Sequence, residues 1–220
     1  YVTLKAGMTL DGQIATARGE SKWITGLQSR QEVHRLRSAM DAVIVGIGTV
    51  LSDNPSLTAR RLPGLAALAS TQPMRIVVDS HLRIARSAKI LTQQSSSKTI
   101  IATTKAAPQA RRRALERQGV EVLQVPSPGG HVSLKHLLTA LGQRGMVSVM
   151  VEGGGELNAA FFKSKLVNHV QLYVAPTLLG GVASKGVIGG VSPRRLADAW
   201  KLRQVRTRVL GTDVVVEGDV

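Results

Sequence analysis

The residues best able to do chemistry fall in a few short stretches. In "VMVEGGGELNAAFF", Val149 to Phe162, an apolar run ends on one acid, Glu152; Gly153, Gly154 and Gly155 follow and lead into a helix-like pattern. A glycine turn from a strand into a helix start exposes backbone N–H groups, and with the helix dipole these suit a phosphate. Tight packing of strand on helix accounts for the same glycines. "IATTK" closes another strand-like run with Thr103, Thr104 and Lys105. Two hydroxyls and a cation there suit a ribose 2′-phosphate, whereas an acid would suit a free 2′-hydroxyl; a solvated strand end is the other reading. "GTVLSDNPSLTAR" puts Thr49 and Asp53 four residues apart on one face of a short helix, a few residues before Arg60. Arg37 and Arg60 can each grip a phosphate monoester with two parallel bonds, or serve as ordinary surface arginines.

Three groups are acid–base candidates. Lys5 sits in the first strand-like run among uncharged neighbours, where a strand lysine is more often a snorkelling edge residue. Asp53 has a competing role, since with Asn54 and Pro55 it can simply end a helix. Glu152 ends a buried strand at the point where a parallel sheet presents its ligands. None of the glycine stretches is a full nucleotide fingerprint. Asn158 stands where G-x-G-x-x-G needs its third glycine, Leu51 does so in "GIGTVL", and Val187 replaces the lysine of a phosphate loop in "GVASKGV".

The elements that must position these groups alternate between strand and helix. "YVTLKAGMTL", "AVIVG", "MRIVVDS", "KTIIATT", "VEVLQVP", "VSVMVEG" and "HVQLYVAP" read as strands. "SRQEVHRLRSAM", "GTVLSDNPSL", "PQARRRALERQG", "SLKHLLTALGQRG" and "ELNAAFFKSKL" read as helices, with Pro108 and Ser133 as starts and Gly119 as a stop. "KLRQVRTRVL" and "TDVVVEGDV" form a terminal antiparallel pair across Gly211, and Leu62 to Pro73 reads as a loop. Alternation in the middle and a hairpin at the end predict one α/β domain over residues 1–220, mostly parallel with an antiparallel C-terminal edge.

Composition narrows the chemistry. The 220 residues suffice for one large core, and 43% are apolar. The absence of cysteine removes disulfides, thiolate nucleophiles and cysteine zinc sites, and five histidines show no metal-ligand spacing, so no metal is expected. No apolar run is long enough to span a membrane and no signal peptide opens the chain, so no membrane partner and a cytoplasmic location are expected. The net charge of +15 suits a basic surface, nucleic acid or small anionic ligands, but the charge is spread out and aromatics make up only 3%, too few for a base-stacking platform.

Taken in order, "LKAGMTLDGQIATARGESKWIT", "GTVLSDNPSLTAR", "VEGGGELNAAFF" and "YVAPTLLGG" resemble the reductase domain of bacterial riboflavin biosynthesis, a pyrimidine reductase usually fused behind a zinc deaminase. The resemblance runs from Val2 into "RRLADAWKLRQVRTRVLGTDVVVEG". It implies a dihydrofolate-reductase-like fold, the cofactor NADPH, and reduction of 5-amino-6-(5-phosphoribosylamino)uracil, with opening of the ribose ring and hydride arriving at C1′. It implies substrate contacts at Ser21, Arg37, Leu57, Arg60 and Glu152, with Lys5 near the substrate ribose. It implies cofactor contacts at Gly7, Trp23, Thr49 and Ser80 and along Gly154, Gly155, Glu156, Leu157, Asn158, Ala159 and Ala160; Asp53 lies near both ligands. Glu156 departs from what a pyrophosphate welcomes, because an acid there repels unless it points away. Trp23, on its own, is more often a core tryptophan. The deaminase half, with its zinc-binding cysteines, is not in this stretch and is expected upstream in the native chain. A homodimer is expected through the exposed C-terminal strands. Alternatives are a reductase of this fold acting on the non-deaminated diaminopyrimidine or on a pterin, and a basic nucleotide- or RNA-binding module.

Overall fold

The computed structural model describes residues 1–60 and 71–220, so the expected loop from Leu62 lies, as far as Ser70, outside the described residues. Its elements are, in chain order, β1 (Val2–Thr9), β2 (Gln13–Ala15), α1 (Leu27–Ala39), β3 (Ala42–Gly46), α2 (Ile47–Asp53), β4 (Met74–Val78), α3 (Lys89–Thr92), β5 (Thr99–Thr103), α4 (Gln109–Glu116), β6 (Glu121–Gln124), α5 (Leu134–Gly142), β7 (Val149–Val151), α6 (Gly155–Lys163), β8 (His169–Ala175), β9 (Lys185–Gly186), β10 (Arg203–Leu210) and β11 (Asp213–Asp219). The chain divides into two compact units, Tyr1–Val33 with Met150–Val220, and His34–Val149.

In the first unit the strand order is β10-β11-β8-β1-β7. β1 runs parallel to β8, and β11 pairs antiparallel with both β8 and β10. Val2, Leu4 and Ala6 point into the core while Lys5 and Gly7 take the other face, the alternation that a pleated strand imposes. Gly211 turns the β10–β11 hairpin in a left-handed conformation at φ 67. The start of α1 has no acid in its own first turn. Asp213 supplies one from β11: its carboxylate, almost fully buried, accepts from the Gly26 N–H at 2.8 Å and the Ser29 hydroxyl at 2.5 Å. A tertiary contact thus does the work of a local cap.

In the second unit β3, β4, β5 and β6 are consecutive and all parallel. Their unbroken apolar runs suit strands covered on both faces, and Val43, Ile44, Ile76, Val77 and Ile101 are fully buried. α2 stops because Asn54 adopts a left-handed conformation and returns its N–H to the Val50 carbonyl at 3.1 Å, and Pro55 follows. Ser133 caps α5 as its sequence position predicts. The α/β class, the parallel majority and the antiparallel C-terminal edge are those read from the sequence. β2, β9 and α3 were not, because segments of two to four residues carry no measurable periodicity. Among the described residues, no helix is long and apolar enough to cross a membrane.

Asp11, in the turn between β1 and β2, ties that turn to the loop after β8. It accepts from the Thr9 hydroxyl at 2.5 Å, from the Gly180 N–H at 2.7 Å and from the Leu179 N–H at 3.2 Å. The Thr9 hydroxyl, then the Gly180 amide, hold its carboxyl down at about 2. A carboxyl depressed in the folded state stabilises the fold fully above its ordinary value, and that contribution drains away as pH falls through the folded value. Carbon-detected NMR is therefore expected to show Asp11 titrating near about 2, with the Leu179 and Gly180 amide shifts following the same midpoint. Asp11→Asn is expected to abolish that coupled transition. Amide shifts that move instead at an ordinary carboxyl pH would disprove the tie.

Candidate active site

In the first unit the charged centre is the pair Lys5 and Glu152. They reach toward each other from neighbouring strands, β1 and the end of β7, with Nζ and Oε2 3.8 Å apart. Their side chains are only 15% and 10% exposed, so the pair is largely withdrawn from water. Lys5 Nζ also lies over the ring of Tyr173, 5.6 Å from its centroid. The β1–β8 register pairs Lys5 with Gln171 and Gly7 with Tyr173, which puts all four on one sheet face. The fully buried Tyr173 donates its hydroxyl to Glu32 of α1 at 3.1 Å. Glu32 also accepts from Gln171 at 3.3 Å and from Arg208, whose guanidinium it holds above its ordinary value against the opposing effect of burial.

The glycine turn follows Glu152 directly. Gly154 caps α6 with no side-chain bond, so no side chain of the cap residue satisfies the N–H groups of the first turn. The other two glycines have packing reasons of their own. A β-carbon on Gly153 would sit 2.9 Å from side-chain atoms of Leu157 and Asn158. One on Gly155 would sit 2.6 Å from the Gly186 carbonyl oxygen and 3.0 Å from the Gly189 nitrogen, both backbone atoms. The strand-on-helix packing reading thus accounts for Gly153 and Gly155. Glu156 turns its carboxylate to the Gly190 N–H at 3.2 Å, so its charge is directed at the 189–190 loop. Asn158 is fully buried; its amide donates to the Val187 carbonyl at 2.9 Å, and its Oδ1 has no partner among the described residues. Leu157, Ala159 and Ala160 are part-exposed positions of the same helix.

Gly7 allows close approach of Thr25, whose methyl would lie 3.1 Å from a β-carbon there. Trp23 is 71% exposed, with the Arg30 guanidinium 4.5 Å from its ring centroid, so it is not a core tryptophan. Ser21 is part-exposed nearby in sequence.

In the second unit the geometry gathers Arg37, Leu57 and Arg60. Arg37 donates to the Thr58 carbonyl at 3.2 Å, and the Arg60 N–H meets His34 Nδ1 at 3.3 Å. Gln72 clamps Ala59 through both its N–H and its carbonyl, at 2.9 and 2.7 Å. Leu57 is buried in a left-handed conformation at φ 55, and Arg60 is exposed. Thr49 and Asp53 share α2, both part-exposed, and the Ser52 hydroxyl donates to Asp53 at 2.7 Å. Helix ending falls to Asn54, not to Asp53.

The strand-end group differs from its sequence reading. Thr103 and Thr104 are buried, and both hydroxyls donate to the Ser80 carbonyl, at 3.2 and 2.9 Å. A hydroxyl has one proton to give, so these two are spent on the backbone, leaving the exposed Lys105 as the cation of that strand end. Ser80 in turn accepts the Val132 N–H through its own hydroxyl at 3.1 Å. Sequence reasoning missed Tyr173, Glu32 and His34. Only the strand register reveals that Tyr173 shares a face with Lys5, although "YVAP" itself was visible.

The chain matches the RibD C-terminal domain family over residues 1–216. It is 38% identical to the riboflavin biosynthesis protein RibD of Actinobacillus pleuropneumoniae over 99% of its length, and spans 56% of that protein. It is 37% identical to the 2,5-diamino-6-ribosylamino-4(3H)-pyrimidinone 5′-phosphate reductase of Methanothermobacter thermautotrophicus, covering 99% of this chain and 96% of that one. Among solved structures, RibD of Acinetobacter baumannii superimposes with a TM-score of 0.86 at 32% identity, over all of this chain and 58% of the other.

The close approach at Gly155 generates a stability test. Gly155→Ala must displace backbone at Gly186 and Gly189, and overpacking of this kind costs about 1–3 kcal/mol. Gly48→Ala in α2 meets nothing within 4 Å and is expected to be neutral or stabilising by up to about 1 kcal/mol. Urea unfolding of the two variants reads the contrast; equal stabilities would remove the packing role of Gly155.

Proposed function

Because this chain belongs to the RibD C-terminal domain family, we propose that it is an NADPH-dependent reductase of riboflavin biosynthesis. Its substrate on this reading is 5-amino-6-(5-phosphoribosylamino)uracil, reduced to the ribitylamino product. The carrying observation is the withdrawn Lys5–Glu152 ion pair three residues ahead of the uncapped start of α6. It sets an acid–base couple beside a helix start suited to phosphate. In the first unit the residues fit the phosphates of a nicotinamide dinucleotide: α6 starts without a side-chain cap, on a glycine turn that carries no side chains. A bound nicotinamide supplies the hydride.

The chain's own residues supply everything else. Lys5 holds a proton, kept on by the negative charge of Glu152. As the C1′–O4′ bond of the ribosylamine breaks, that proton passes to O4′, and the resulting carbon–nitrogen double bond at C1′ becomes the hydride acceptor. Glu152, Ser21 and Leu57 orient the substrate, and Arg37 and Arg60 bind its phosphate by charge-assisted bonds. Gly7, Trp23, Thr49 and Ser80 contact the cofactor on this reading, as do residues Gly154 to Ala160. Thr103 and Thr104 support Ser80 from behind.

The name of the archaeal relative, matched over almost its whole length, favours a second reading in which the substrate still carries the second amino group. Anaerobic spectrophotometry with each pyrimidine separates the two. Oxidation of NADPH, faster than of NADH, is expected with the uracil; faster turnover of the diaminopyrimidinone would transfer the assignment to that substrate. Absence of turnover with both would sink the reductase reading.

Asp53 is the remaining acid–base candidate. Since Asn54 ends α2, Asp53→Asn is expected to melt within a few degrees of the parent and still bind NADPH. If its carboxyl relays a proton as the sugar opens, turnover falls by about 10²–10⁴. Unchanged single-turnover hydride transfer in a folded Asp53→Asn would leave the proton work to Lys5 and Glu152.

A further inference from the structure

We propose that Tyr173 is a positioning residue for the proposed reaction: its ring, anchored by Glu32, holds the Lys5 ammonium in place and in its charged form. This rests on the reading of Lys5 as the proton carrier. A lysine this far withdrawn from water tends to retract toward solvent or lose its proton. Glu152 opposes that from one side at 3.8 Å. The Tyr173 ring opposes it from beneath, with its centroid 5.6 Å from Nζ, inside the range at which a ring face attracts a cation.

The ring is held at several points. Tyr173 is fully buried, and its hydroxyl donates to Glu32 Oε1. Giving that proton to a carboxylate draws electron density onto the ring and strengthens its negative face. Glu32 is fixed by Gln171 and Arg208, and Gln171 also donates to Glu217 at 3.3 Å. Glu152 and Tyr173 face Lys5 directly, and Glu32, Glu217 and Arg208 bear on it through Tyr173 and Gln171. The strand register explains the geometry: Gly7, beside Tyr173 on the same face, has no side chain to come between Lys5 and the ring. Nothing in hydride transfer itself requires a tyrosine at this position, and a purely structural buried tyrosine would not need a lysine over its face.

The test reads Lys5 directly, without ligand. In protein labelled with carbon-13 lysine, the Lys5 ε-carbon is identified by its loss in Lys5→Gln and titrated by NMR. Tyr173→Leu removes the ring, and the Lys5 midpoint is expected to fall by roughly 0.4–1.5 units, the size of a partly desolvated cation–ring contact. Tyr173→Phe keeps the volume but loses the anchor, as Glu32→Gln weakens it; both are expected to lower the midpoint less. These two keep the test decisive if Tyr173→Leu fails to fold. In turnover, all three are expected to lower kcat while leaving the KM for NADPH unchanged. An unchanged Lys5 midpoint in Tyr173→Phe and Glu32→Gln overturns the proposal. Full turnover by Lys5→Gln instead overturns the reading of Lys5 as proton carrier, and the titration still decides whether the ring holds it.

Discussion

A charge withdrawn from water must be paired, and this constraint organises the first unit. Lys5 on β1 and Glu152 at the end of β7 satisfy it for each other. Their meeting depends on strand order. β1 and β7 are far apart in sequence but adjacent in the sheet, and the chain passes from Glu152 straight into the turn that opens α6. The adjacency of the two strands thus sets the ion pair directly ahead of the helix start.

The turn after Glu152 shows two demands met by one residue type. Gly153 and Gly155 are small because Leu157 and the loop at Gly186 and Gly189 press against them. Gly154 leaves the helix start without a side-chain cap. Glu156 would spoil that if it faced the same way, but its carboxylate is engaged by the Gly190 amide. Packing and an open helix start are thus divided among neighbouring residues.

In the second unit the backbone around Arg60 is shaped by side chains rather than by regular structure. Arg75, buried in β4, donates to the carbonyls of Ser56 at 3.3 Å and Ser97 at 2.7 Å. Arg37, His34 and Gln72 hold Thr58, Ala59 and Arg60. A backbone with that many fixed points gives Arg60 a defined position at little further entropic cost. Thr103 and Thr104 do comparable work for Ser80, and their hydroxyls are directed at backbone rather than ligand.

By itself the sequence determined the longer elements, the parallel majority and the C-terminal hairpin, because unbroken apolar runs such as "AVIVG" and the β-rich pair around Gly211 are visible without coordinates. It also singled out Lys5, Glu152, Asp53 and the glycine turn, since charge or flexibility at the end of an apolar run is visible without coordinates. Only the tertiary structure decided which of these groups meet. That Asn54 rather than Asp53 ends α2 is a matter of backbone conformation, which residue type alone does not dictate. That Thr103 and Thr104 spend their protons on Ser80, that Asp213 caps α1 from nearly two hundred residues away, and that Tyr173 lies beneath Lys5 all depend on strand order and register. Those are set by the packing of the whole core, and no local window of sequence contains it.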